Sequence, residues 1–213
     1  MKVVLADDHR MMRDGLRAVL EKAGVRVLGE AANGHEAIAE AKRLRPDVVV
    51  MDVGMPELNG IDATKRLIAE VPGTKVLALS MTADRRYVSA MLEAGASGYL
   101  LKNAASEELL NALASVGRGE TYLSPAIAKT VGAPTIRRRT PSGGLERPLS
   151  TREREVLQLI AEGKSSKEIG ATLGIALPTV ETHRRQLMEK LDLRTIAELT
   201  KYAIREGLTS SEP

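Results

Sequence analysis

The chain has no cysteine, phenylalanine or tryptophan, and only four tyrosines. Without cysteine there are no disulfides and no thiolate metal sites, which fits a reducing cytosol. So few aromatics argue against base stacking as a way of recognising nucleic acid. No apolar run approaches the roughly 20 residues of a membrane-spanning helix. The N-terminal MKVVLADDHR turns acidic straight after Ala6, the wrong pattern for a signal peptide. A cytoplasmic protein without membrane contact is expected. Neither sign of charge dominates, with 31 Lys and Arg against 28 Asp and Glu, net +3.

That excess is unevenly placed. Residues 1–123 hold 16 basic and 17 acidic residues, whereas 124–147 hold 5 and 1, and 148–213 balance at 10 and 10. The 124–147 segment also contains three prolines, with a fourth at Pro148, together with Gly132, Gly143, Gly144 and the triplet Arg137–Arg139. It reads as a basic linker, with a short helix near residues 125–130, between domains spanning 1–123 and 148–213. Basic character there suggests phosphate contact, but net charge alone does not make the C-terminal module a nucleic-acid binder.

Five strand–helix units are expected in the first domain. The strands lie at Lys2–Ala6, Val25–Glu30, Val48–Met51, Lys75–Leu79 and Tyr99–Leu101. Asn33-Gly34 reads as a turn, Pro46 as a helix stop and Ser106 as a helix cap. Short alternating units predict a doubly wound, five-stranded parallel sheet with helices on both faces. In the last domain, Ser150 and Glu153 fit a capping box for a helix to about Ala161, with Val156, Leu157, Leu159 and Ile160 inward. A short helix with Ile169 and Leu173, a tight turn, a helix from Pro178 to Leu191 and a fourth over 195–205 follow. Four short helices, the second and third tightly joined, have the look of a helix-turn-helix.

Chemistry gathers at the predicted strand ends. Asp7 and Asp8 follow the first strand, Asp52 the third, Ser80 the fourth and Lys102 the fifth. Singly, Asp52 reads as a turn residue, Ser80 as a helix cap and Lys102 as a solvated lysine. Together they share the edge where open α/β sheets place ligands. Three carboxylates repel unless a hard divalent cation joins them, and an incomplete oxygen set suits Mg²⁺. Asp52 would then be the nucleophile accepting a phosphoryl group, with Lys102 neutralising charge and Ser80 donating to a phosphoryl oxygen.

The stretches ADDH (6–9), MDVGMPELNG (51–60), LALS (77–80) and GYLLK (98–102) resemble the receiver of two-domain response regulators. LSTREREVLQLIAEGKSSKEIG (149–170) and TVETHRRQLMEKLDL (179–193) resemble their LuxR-type helix-turn-helix, as in the NarL/FixJ group. The resemblance covers nearly all of the chain apart from the linker. It implies a CheY-like, flavodoxin-like receiver and an all-α tetrahelical output domain. It implies Mg²⁺ on Asp7, Asp8, Asp52 and the Gly54 carbonyl, Asp52 as phosphoacceptor, and Ser80 and Lys102 as switch and phosphate-binding residues. Tyr99 would be the aromatic that changes rotamer with Ser80; the alternative is a core tyrosine.

For the output domain, the resemblance makes Glu181, Thr182 and Arg185 the candidates to face bases in double-stranded DNA. Lys167, Thr179, His183, Arg184 and Lys190 become phosphate or scaffold positions. Glu181 and Arg185 are also spaced to neutralise each other, and His183 reads better as a packed, hydrogen-bonded residue than as a base contact. Departures from the family pattern are Ser166, Gly170 and Ala176-Leu177-Pro178, where a cap and a basic residue are usual. Gly170 should weaken its helix by up to about 1 kcal/mol relative to Ala. Modest monomer affinity is expected, with a homodimer formed on phosphorylation through Ile196, Leu199, Ala203 and Ile204.

The implied function is a transcription regulator controlled by a sensor histidine kinase, not an enzyme beyond slow self-dephosphorylation. The resting receiver is expected to cover the recognition or dimerising helix. A phospho-switched interaction module with weak or lost DNA binding is the alternative, on the strength of Pro178 and Ala176. A metal-dependent phosphohydrolase lacks a substrate-enclosing insertion.

Overall fold

A computed structural model of the chain describes residues 1–131 and 149–209. They belong to two compact units that divide between residues 134 and 135. The Arg137–Arg139 triplet lies outside the described residues.

The first unit is built on parallel strands β1 (Lys2–Ala6), β2 (Arg26–Ala31), β3 (Val48–Asp52), β4 (Lys75–Ser80), β5 (Gly98–Leu101) and β6 (Tyr122–Leu123). Their order across the sheet is β2-β1-β3-β4-β5-β6. The sheet therefore has six strands where five were expected. The extra strand is two residues long, pairing Tyr122 with Gly98 and Leu123 with Tyr99, too short to leave a period-2 signal.

Helices α1 (Arg10–Lys22), α2 (Gly34–Leu44), α3 (Gly60–Glu70), α4 (Arg85–Glu93) and α5 (Ser106–Gly117) cover the sheet. Alternation along the strands sorts the core into two layers. Val4, Val49, Met51, Val76 and Tyr99 pack with residues of α2, α3 and α4. Val3, Leu5, Val48, Val50, Leu77 and Leu100 pack with α1 and α5. Every residue of β3 is buried, which explains its unbroken apolar run. Each such Val or Leu contributes roughly 1.5–3 kcal/mol over an exposed position.

The chain stays attached to this unit past residue 123. Ser124 donates its N–H to the Tyr99 carbonyl at 3.2 Å. Helix α6 (Pro125–Val131) then buries Ile127 completely among core residues that include Val88, Met91 and Tyr99. Two local expectations also change. Asn33-Gly34 is no reverse turn: the Asn33 side chain accepts the Glu36 N–H and Gly34 is the first residue of α2. Ser106 does not cap α5 but is its first residue, after Ala105.

The second unit comprises α7 (Thr151–Ala161), α8 (Ser166–Leu173), α9 (Leu177–Leu191) and α10 (Ile196–Arg205). Reciprocal capping boxes open α7 at Ser150 and Glu153, α8 at Ser165 and Glu168, and α10 at Thr195 and Glu198. Val156, Leu157, Leu159, Ile169, Val180, Leu187, Leu199 and Ala203 form its core. Gly170 has a role that propensity does not convey. A Cβ there would come within 2.9 Å of the Ile175 carbonyl oxygen, and the Ile175 N–H bonds back to the Gly170 carbonyl at 3.0 Å. Glycine lets α8 close on the turn into α9.

Candidate functional site: an acidic pocket and a helix-turn-helix

Strand β1 runs between β2 and β3, so the chain leaves it to opposite sides and a crevice opens at the carboxyl ends of β1 and β3. Asp7, directly after β1, and Asp52, the last residue of β3, stand there. Both are buried. Lys102, directly after β5, reaches across the end of β4 and places Nζ 2.7 Å from Asp7 Oδ2 and 2.9 Å from Asp52 Oδ2. All three side chains are nearly closed to water, at 1 % exposure for Asp7, 7 % for Asp52 and 5 % for Lys102. Asp8 is more open at 31 % and bonds to His9 Nδ1 at 2.9 Å. The His9 N–H donates to Asp7 Oδ1 at 2.9 Å, and the Gly54 N–H to Asp52 Oδ1 at 3.3 Å.

Burial pushes the Asp52 carboxyl above its ordinary range; Lys102 pulls it back, and repulsion from Asp7 adds to the rise. Burial works to lower the Lys102 ammonium, yet the combined attraction of Asp52 and Asp7 holds it above its usual value. Lys102 meets two carboxylates, and the Asp8 carboxylate stands beside Asp7, so carboxylates outnumber the ammonium in the pocket. The donor set fits a hard divalent cation. Asp7, Asp8 and His9 each offer a ligand atom, all within 4.8 Å of one another. His9, not foreseen from the sequence, reads better as the partner of Asp8 than as a ligand to such an ion.

Ser80 is buried at the end of β4, and its Oγ accepts the Thr82 N–H at 3.2 Å. Tyr99 lies wholly inside the core, with its hydroxyl donating to the Thr82 carbonyl at 3.0 Å. Burial raises that phenol to about 12, against the hydrogen bond with Ser80. One loop, 80–82, thus meets both Ser80 and Tyr99.

The glycines that shape the pocket were hard to foresee. A Cβ on Gly60 would fall 2.0 Å from the Asp52 carbonyl oxygen, and one on Gly34 2.4 Å from that of Leu58. The signal was the Asn-Gly pair at 33–34 and again at 59–60. In the second, Asn59 caps α3 by accepting the Asp62 N–H at 2.9 Å.

In the second unit, Lys167, Thr179, Glu181, Thr182 and Arg185 are exposed on α8 and α9. Arg184, not Arg185, pairs with Glu181, at 3.3 Å, and also donates to Ser166 Oγ at 2.7 Å. Arg184 thus meets Glu181 on its own helix and Ser166 at the start of α8 with the same Nη1. Thr182 bonds back to the Pro178 carbonyl at 2.9 Å. Lys190 is tied to Glu153 at 2.8 Å, joining α9 to the start of α7. His183 is packed as expected, but its buried Nδ1 has no hydrogen-bond partner among the described residues. Ala176 caps α9 without a side-chain bond, and Pro178 is the second helical residue rather than the first; its missing N–H is still one that the helix leaves unpaired.

The expected dimer surface needs correction. Leu199 and Ala203 are fully buried in their own module, against α7, because the apolar face of α10 closes the helical core. Ile196, 50 % exposed, remains on the surface, and Ile204 is half-buried.

A parallel α/β unit with an acidic pocket at its switch point, followed by a helix-turn-helix, defines a signal receiver joined to an output domain. The family model for the response regulator receiver domain matches residues 3–114, and that for bacterial regulatory proteins of the luxR family matches residues 147–203. The chain belongs to the two-component response regulators with a LuxR-type helix-turn-helix, which are transcription regulators. It is 39 % identical over 214 residues to the transcriptional regulatory protein LiaR of Bacillus subtilis, covering 99 % of this chain and 100 % of that one. It is 38 % identical over 211 residues to MctR of Rhizobium johnstonii, covering 99 % and 96 %. Among solved structures, a LuxR-family response regulator from Aurantimonas matches with 34 % identity and a TM-score of 0.59, over 61 % of this chain and 94 % of that one. The response regulator RcsB in complex with DNA matches with 28 % identity and a TM-score of 0.60, over 97 % and 98 %. No helix among the described residues is long and apolar enough to cross a membrane.

Proposed function

We propose that Asp52 accepts a phosphoryl group from a phosphohistidine of a sensor histidine kinase, and that the C-terminal module reports this state on DNA. The observation carrying the proposal is Lys102 bridging Asp7 and Asp52 at the carboxyl edge of the sheet. An Asp52 carboxylate oxygen attacks phosphorus, the P–N bond breaks with its electron pair on the imidazole nitrogen, and an acyl phosphate remains. Mg²⁺, held by Asp7, Asp8, Asp52 and the Gly54 carbonyl, would supply charge neutralisation at the phosphoryl oxygens when bound. Lys102 then pairs with a phosphoryl oxygen, and Ser80 turns its hydroxyl toward another. The loop 80–82 follows Ser80, which breaks or reshapes the Tyr99–Thr82 bond and passes the change to the α4 face. Water slowly hydrolyses the acyl phosphate and resets the pocket.

On the output side, Glu181, Thr182 and Arg185 face the base edges, while Lys167, Thr179 and Arg184 meet phosphates. Arg184 also orders Ser166, and Lys190 is a scaffold residue through Glu153. Support comes from the exposed placement of Lys167, Thr179, Glu181, Thr182 and Arg185 on α8 and α9 and from the similarity to a response regulator solved with DNA. A phosphorylation-dependent homodimer, with Ile196 at its contact, supplies affinity that one near-neutral module lacks; its setting is the cytoplasm. The test is a DNA-shift titration with and without Mg²⁺ and a small acyl phosphate. Wild type should bind more tightly after treatment. An Asp52→Asn variant that is still phosphorylated, or that responds like wild type, would sink the proposal.

A further inference from the structure

The main chain at Asp7 is gripped from outside the acidic pocket. Arg13, in the first turn of α1, donates from Nη1 to the Asp7 carbonyl oxygen at 2.6 Å. Its Nε donates to Glu30 Oε2 on β2 at 2.9 Å. Arg17, one turn further along, takes the other Glu30 oxygen at 2.6 Å. Both arginines thus tie α1 to β2, but their Nη1 donors go to different places. That of Arg13 holds the Asp7 carbonyl, whereas that of Arg17 turns away to Glu21 at 3.0 Å. The Arg13 side chain is only 14 % exposed, so its charge-assisted bond to the carbonyl is shielded from water.

The carbonyl of Asp7 and the N–H of Asp8 belong to one planar peptide unit. Holding its oxygen fixes the plane, and with it the position of the Asp8 Cα from which that side chain departs. The Asp7 carboxylate has other anchors, in the His9 N–H and Lys102. The more exposed Asp8 carboxylate is held by the His9 ring. A guanidinium can span Glu30 and the carbonyl at once because its donors diverge in a rigid plane; an ammonium on a flexible stem fits that task poorly.

We infer that Arg13 is a positioning residue for the cation site, setting the Asp8 carboxylate beside Asp7 through its bond to the Asp7 carbonyl. The inference rests on the reading of Asp7 and Asp8 as Mg²⁺ ligands. Arg17, sharing Glu30, provides the internal control for a merely structural tie between α1 and β2.

The experiment titrates Mg²⁺ alone into the unphosphorylated full chain by calorimetry, with thermal unfolding and the rate of Asp52 phosphorylation by acetyl phosphate measured beside it. Arg13→Met should weaken Mg²⁺ binding by about ten-fold, the scale of lost outer contacts at metal sites, and slow phosphorylation at sub-saturating Mg²⁺. Arg13→Lys should recover part of the affinity. Arg17→Met should lower the unfolding temperature but leave Mg²⁺ affinity within about two-fold of wild type, on the same scale. Equal Mg²⁺ binding by wild type and Arg13→Met overturns the inference, as does equal weakening by the two arginine variants. If Arg13→Met does not fold, Arg13→Lys against Arg17→Lys makes the same comparison, with weaker binding expected in the first alone. Wild type that is phosphorylated yet binds no Mg²⁺ would instead overturn the underlying assignment of Asp7 and Asp8.

Discussion

A side chain on Gly60 would place its Cβ 2.0 Å from the main-chain oxygen of Asp52. The start of α3 is thus pressed against the end of β3, and the Gly60 N–H bonds to the Val53 carbonyl at 3.0 Å. The backbone of the proposed phosphoacceptor is held by a residue that needs to be small rather than to adopt an unusual φ. Gly60→Ala must displace either α3 or the end of β3. We expect a loss of about 3 kcal/mol, the upper part of the range for overpacking, since a backbone oxygen cannot rotate away. Urea unfolding reads the stability, and the rate of phosphorylation by acetyl phosphate should fall with it. A variant with wild-type stability and rate would show that the contact relaxes freely.

Lys102→Met leaves Asp7 and Asp52 buried without their shared ammonium. Removing one partner from a buried ion pair costs on the order of 3–5 kcal/mol. The pH dependence has a definite sign. Asp52 already stands above its ordinary value through burial and the repulsion of Asp7, and losing Lys102 raises it further. A carboxyl whose folded pKa exceeds its unfolded one loses stability as pH climbs from the unfolded value through the folded one. The deficit relative to wild type should therefore be largest near neutrality and shrink as pH falls toward the ordinary carboxylate range. Urea midpoints measured across that range check this; a deficit independent of pH would remove the electrostatic explanation.

Much of this architecture was legible in the amino-acid sequence, and for physical reasons. The apolar run Val48–Met51 reads as a buried parallel strand, and Asp52 after it gains meaning only beside Asp7, Asp8, Ser80 and Lys102 at the other strand ends. Ser150 with Glu153 predicts a reciprocal cap that forms. What escaped was set by how neighbouring loops fold back in three dimensions, which residue periodicity does not encode. The Asn59-Gly60 pair marks a special position without saying that the Asp52 carbonyl presses on it, and the spacing of Arg13 from Asp7 does not say that a guanidinium folds back onto that carbonyl. Strand β6 is too short for periodicity to reveal. The amphipathic α10 could equally have served its own module or a partner copy, and only packing decided for the former.

That decision about α10 separates two substitutions. Leu199 is fully buried within its module, whereas Ile196 is half-exposed at the start of the helix. Leu199→Ala should cost about 2–5 kcal/mol through lost burial and the cavity left behind. Ile196→Ala should change stability by no more than about 0.5 kcal/mol, as surface substitutions usually do, yet weaken dimer formation by the phosphorylated chain. Denaturation of the unphosphorylated protein and sedimentation of the phosphorylated one separate the effects. Wild-type dimerisation by Ile196→Ala would move the interface elsewhere.

Glu153 joins two functions in one carboxylate. It accepts the Ser150 N–H at 2.6 Å to complete the cap of α7, and Lys190 at 2.8 Å to tie that end to α9. Burial works to raise its pKa, but Lys190 and the Ser150 N–H together hold it below the usual 4.5. The unfolded chain therefore binds the proton more readily, and the associated stability is present above 4.5 and lost as pH falls through the lower folded value. Glu153→Gln keeps the shape while removing the charge, and should destabilise the module by about 1–2 kcal/mol at neutral pH. The difference from wild type should close on acidification, once Glu153 is protonated in the folded and unfolded chain alike. Hydrogen exchange of α7 amides in the full chain, followed against pH, measures this directly. A gap between variant and wild type that stays constant down to low pH would mean that the Lys190 contact contributes through packing of its stem rather than through charge.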